Sequence, residues 1–172
     1  PISTGVASNY YSTACSTTEL HSAWDLTFDL RGVLVVGNQH SLVGIDVRDA
    51  AAGTKTFVIG DPTTAGQADG FATGDARLTS AGKNLALDRR TGAILSRDGS
   101  GISVLWPDGT LQHLVDDGSL APNALWLSER DVYTYTSAGD VKRLANWSTF
   151  LMPDANFSFA ANVSMSGVDA GS

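Results

Sequence analysis

Cysteine is almost missing from this chain. The one residue, Cys15, cannot form an intrachain disulfide. Its surroundings, STACSTTE, supply no base or cation that would activate a thiol, so it reads as a small buried or half-buried side chain. Glutamate is scarce as well: 16 Asp stand against 2 Glu, and 8 Arg with 3 Lys leave a net charge of −7. Without a basic cluster to neutralise phosphates, nucleic acid is excluded as a partner. No apolar run approaches the roughly 20 residues of a bilayer-spanning helix, so a membrane is reached only through a segment absent from this chain. A start at Pro1 without Met is the pattern expected of a processed or trimmed product.

Catalytic signatures are missing too. There is no G-x-S-x-G elbow, no S-x-x-K, and no Lys-Ser or Lys-Thr after the Gly-rich stretch that would make a phosphate-binding loop. His21, His40 and His113 do not fall at zinc-ligand spacings. The close acidic pairs, Asp116–Asp117 and Glu129–Asp131, lie in predicted turns and read as solvated. No catalytic residue, metal ligand or cofactor is expected.

What the chain does have is turn formers and strands. Eighteen Gly and 34 Ser or Thr separate short apolar runs. The runs are 24–28, 33–37, 42–47 and 55–60, then 84–87, 93–96, 102–106 and 111–115, then 124–127, 132–136, 141–145 and 148–152. Each is short, apolar or alternating, and bounded by Gly, Asp, Asn or Pro, as strands are. They recur as a unit. LTFD at 26, LALD at 85 and LWLS at 125 start equivalent runs, with spacings of 59 and 40 residues. A period near 40 with four strands per unit predicts an all-β, propeller-like array of antiparallel four-stranded blades. Three blades are expected within 22–153, at 22–60, 61–116 and 117–153. Residues 1–21 and the alternating FSFAANVSM at 157–165, within a 154–172 strand and tail, are expected to supply a fourth. Otherwise the propeller is open or incomplete.

One unit carries a family pattern. Gly66, Asp69-Gly70, Ala76-Arg77-Leu78, Leu85-Ala86-Leu87-Asp88 and Pro107-Asp108-Gly109 follow one another in order. Over about 55–115 this resembles an NHL-type β-propeller repeat. Lys83-Asn84 and Ser96-Arg97 depart from that pattern. The resemblance implies a propeller fold and explains the long link at 61–81. It would cross from a rim strand to the next axial strand, with Leu78 anchoring its end. Asp69 and Asp75 are expected to cap turns within it. A zinc lyase built on such a propeller is the family's enzymatic precedent, but His113 on a rim strand would not reach the axis. Trp106, Trp126 and Trp147 are expected in core or interblade packing.

On this reading, crossings 61–81 and 116–122 share one end with turns 37–41 and 97–101. Asn38, His40, Asp61, Asp98 and Asp116 are the candidate contacts there, for a protein, glycan or small ligand. Asn146, Asn156 and Asn162 each begin an Asn-x-Ser glycosylation acceptor. Together with Ser/Thr-rich ends they predict an extracellular or cell-surface, non-enzymatic recognition domain. Its overall character is similar to that of trypanosomatid insect-stage surface antigens. The rivals are a lyase or hydrolase on a propeller scaffold and a cytoplasmic NHL-type interaction module.

Overall fold

The computed structural model describes residues 20, 22–48, 54–71, 75–80, 83–99, 101–115, 122–128, 130–136 and 139–147. Three antiparallel sheets follow one another along the chain. The first holds β1 (Asp25–Phe28), β2 (Val33–Gly37), β3 (Ser41–Asp46) and β4 (Thr54–Gly60), in that order across the sheet. The second holds β5 (Gly70–Phe71), β6 (Lys83–Leu87), β7 (Ile94–Asp98), β8 (Gly101–Leu105) and β9 (Thr110–Val115), in the order β5-β9-β8-β7-β6. The third holds β10 (Pro122–Leu127), β11 (Val132–Thr136) and β12 (Val141–Leu144). The protein is therefore all-β, with twelve strands in three antiparallel sheets among its described residues.

Short turns with Asp and Gly close the hairpins. At 106–110 the Gly109 N–H returns to Trp106 O, and Asp108 accepts from Thr110 N. Gly109 has φ of 92°, a left-handed conformation that a side chain would strain. Asp29 caps the β1–β2 turn in the same way, accepting from the backbone of Arg31 and Val33. These side-chain caps explain why the sequence prefers Asp to Glu: only the shorter carboxylate reaches its own turn.

The sheets pack face to face. Val35, Leu42 and Ile59 of the first meet Leu78, Ile94 and Leu111 of the second sheet and its approach, all buried. The opposite face of the second sheet, with Leu95, Val104 and Leu114, meets Val132, Leu144 and Trp147 of the third. One edge strand of each sheet adjoins the next, β1 against β6 and β6 against β10. Asp25 secures the first of these contacts by accepting from the Leu85 N–H at 2.8 Å.

Two expectations change here. The second sheet has five strands, because the long link lays Gly70 and Phe71 against the outer edge of β9. Two residues carry no periodicity, so this strand is invisible in sequence. Trp126 does not join the core and is 66% exposed. It pairs with Tyr133 across the sheet, on the face opposite Leu125 and Leu127, which pack against the core. Trp106 and Trp147 are buried as expected, their rings stacked with centroids 6.1 Å apart. The run at 148–152 and the predicted strand at 157–165 lie outside the described residues.

Candidate functional site

The link after β4 is organised by its own backbone before it meets the second sheet. Ala68 and Arg77 exchange both backbone hydrogen bonds, and Gly66 N–H reaches Leu78 O. This draws Asp69 and Leu78 together onto the second sheet, where Leu78 is fully buried. Asp69, expected to cap a turn within the link, instead reaches β9. Its Oδ1 accepts from the His113 N–H at 2.7 Å and faces the His113 ring at 2.6 Å.

The other ring nitrogen of His113 lies 2.7 Å from Asp98 Oδ2. Both nitrogens thus face carboxylate oxygens, which only accept, so the ring must donate twice and carry a positive charge. Burial alone would lower the His113 pKa, but hydrogen bonds to Asp69 and Asp98 and their charges outweigh it, raising it to about 9. Asp98 is correspondingly held in its ionised form. Burial pushes its pKa up, yet bonds from His113, Ser80 and Ser103 bring it below the ordinary carboxylate value. Its Oδ1 accepts from Thr79 N and Ser80 N at 2.7 and 3.0 Å, and Oδ2 accepts from the Ser103 hydroxyl at 3.0 Å. A ring with both nitrogens protonated has no lone pair for a metal or for proton abstraction. Ser103 donates to the acid and makes no bond to the imidazole, so no nucleophile is activated. The cluster is a clasp between the link and the second sheet.

The clasp was legible only in part. Ser96, Ser103 and His113 sit at matched positions on β7, β8 and β9. A buried polar row across three adjacent strands demands internal partners. Asp98 and Arg97 O, on β7 itself, serve Ser103 and Ser96, but the second partner of His113, Asp69, is 44 residues away in sequence.

The other sequence candidates fall as follows. Asn38 is fully buried, donating to Ser41 Oγ and accepting from Ser22 N. Asp98 belongs to the clasp. His40 is half-buried, and its Nδ1 donates to Thr79 O at 2.7 Å. Asp61 caps a turn by accepting from Thr63, whose backbone and hydroxyl bonds lower its pKa. Asn146 lies in an exposed turn, its N–H donated to Asp131. Asp116, Asn156 and Asn162 lie outside the described residues.

Two clefts open between the first and second sheets. At the starts of β1 and β6, Trp24, Asp25, Lys83, Asn84 and Arg97 line a polar cleft of about 490 Å³. Lys83 Nζ sits 3.2 Å from the centre of the Trp24 ring there, a cation–π contact. Asn84 takes the left-handed conformation at φ of 58°. At the opposite ends of these strands lies a groove of about 610 Å³, a size typical of small-molecule sites. Its floor is apolar, with Val33, Phe57, Ile59, Leu105 and Trp106. Phe57 occupies this floor because its cross-strand neighbour is Gly44, where any Cβ would collide with the Phe57 ring. Sequence reading did not single out this groove, since its wall comes from two separate sheets.

Among the described residues, no group of three His, Cys, Asp or Glu is placed to hold a metal ion, and no helix is long and apolar enough to cross a membrane. No protein-family model matches the chain, and neither a curated protein nor a solved structure is significantly similar to it.

Proposed function

We propose that this chain is a non-enzymatic recognition domain of propeller-like build, displayed outside the cell or on its surface. The groove between the first two sheets carries the reading. It is a concave, apolar-floored cleft of about 610 Å³ held between rigid strands. Face-to-face sheets whose edge strands β1, β6 and β10 adjoin are consistent with a propeller-like array. Among the described residues, the buried titratable cluster at His113 is occupied in holding the link. That leaves recognition as the better account than catalysis. Exposed Asn146, at the head of an Asn-x-Ser acceptor, supports a secreted setting.

The test uses the domain secreted from eukaryotic cells. The expected result is a mass loss on N-glycosidase treatment, together with saturable binding of the labelled domain to intact cells, competed by unlabelled domain. Unchanged mass and non-saturable binding would sink the proposal.

A further inference from the structure

We propose that the groove between the first and second sheets binds a small amphipathic organic anion, an apolar ring or chain bearing one carboxylate. This rests on the recognition reading and names the chemistry of its ligand.

Charge at the groove mouth gives the first argument. Arg31 and Arg48 line it, from the turn after β1 and the end of β3. Each is paired with the acid two residues before it, Arg31 with Asp29 and Arg48 with Asp46. The pairs are asymmetric. The Arg31 and Arg48 side chains are 62% and 73% exposed, while Asp29 and Asp46 are 8% and 22% exposed. The carboxylates turn inward and the guanidiniums outward, so the groove mouth presents guanidinium N–H groups to solvent. Both side chains border the same groove, which places the two arginines around one mouth.

Donor geometry gives the second. A guanidinium has five N–H groups in a planar fork. The neighbouring acids take the Nε and Nη2 edge in both cases. Each fork therefore keeps a further edge for an incoming oxygen pair, pre-oriented by the internal ion pair. Asp108 is the one acid that counts against an anion at the rim. It points its Oδ1 to Thr110 N within its own turn.

The interior sets the rest of the ligand. Adjoining the groove is a smaller space of about 60 Å³, bounded in part by Leu30, Val35, Ile94 and Gly92. A Cβ on Gly92 would press on Pro107 and Leu30, closing it. The floor combines aliphatic side chains with the Phe57 and Trp106 rings and presents little to hydrogen-bond. It suits a ring or chain whose single charge stays at the mouth.

The experiment compares 2-naphthylacetate with its neutral amide, titrated into the folded domain and followed by calorimetry. Saturable one-to-one binding of the acid is expected, with the amide at least about tenfold weaker. In Arg31→Gln/Arg48→Gln the acid should bind as weakly as the amide. Thr56→Trp, at an exposed strand position on the groove wall, keeps both arginines and should block acid and amide alike. It decides the matter if the double variant does not fold. Equal binding of acid and amide, an unaffected Thr56→Trp variant, or no saturation would each overturn the proposal. If cell-surface binding persists through Thr56→Trp, the groove assignment falls and the recognition reading stands. If naphthylacetate binds as expected but cells are not bound, surface recognition falls and the groove remains a small-molecule site.

Discussion

Asp98→Ala is expected to lower stability by about 3–5 kcal/mol, the range for breaking a buried ion pair from one side. The change strips the buried end of the His113 imidazolium of its counter-charge and orphans the Thr79 and Ser80 N–H groups. His113 is only 12% exposed, so water compensates little. Asp98→Asn keeps the shape and should cost less. The pH profile isolates the electrostatic part. With a folded pKa of about 9 against 6.5 unfolded, His113 binds its proton more tightly when folded. Its contribution is complete below pH 6.5 and disappears as pH rises through about 9. At most about 3 kcal/mol is at stake. Asp98 works in the other direction: its folded pKa lies below 3.8, so its contribution is present above that value and lost on further acidification. Urea denaturation of the parent across pH 6–10 should show the alkaline decline, and the Asp98→Ala protein should show much less of it. A parent whose stability is flat over that interval would contradict a doubly hydrogen-bonded imidazolium.

The second large effect is expected at Trp147. Trp147→Ala should cost about 3–5 kcal/mol, as deletion of a buried aromatic side chain does. The indole is fully buried, stacks on Trp106, and belongs to the cluster joining the second and third sheets. Its Nε1 has no hydrogen-bond partner, however. Trp147→Phe gives up some volume but also removes that unsatisfied donor, so it should retain most of the stability. Chemical denaturation of both variants checks the contrast. Equal losses for Phe and Ala would mean that Nε1 is satisfied in solution or that the packing tolerates no smaller ring.

Much of the architecture was readable from the chain. Val33–Gly37 and Gly101–Leu105 are mainly apolar runs beside Gly and Asp turns, and they are strands because such runs must be buried on both faces. Leu78, placed after the Gly-rich link, is buried as its position suggested. The site was harder. A turn residue looks alike in sequence whether it faces water or, like Asn38 and Asp98, turns inward to hold backbone. Nothing in the sequence marks Arg31 and Arg48, because the groove they border exists only once Phe57 and Leu105 face each other from different sheets. Trp126 shows the converse error. Its size suggested burial, but register, which size does not encode, assigns it to the open face.

The distance in sequence between Asp69 and His113 has a consequence for the order of folding. The acid can meet the imidazole only after β8 and β9 have formed and the link has returned across their edge, a closure of 44 residues. Local hairpins form before such long closures. The clasp therefore belongs to the native side of the rate-limiting barrier and acts as a latch against opening. Asp69→Ala should raise the unfolding rate while leaving the refolding rate nearly unchanged, as stopped-flow measurements in urea would register. A refolding rate that fell by the full loss of stability would instead place the latch inside the nucleus.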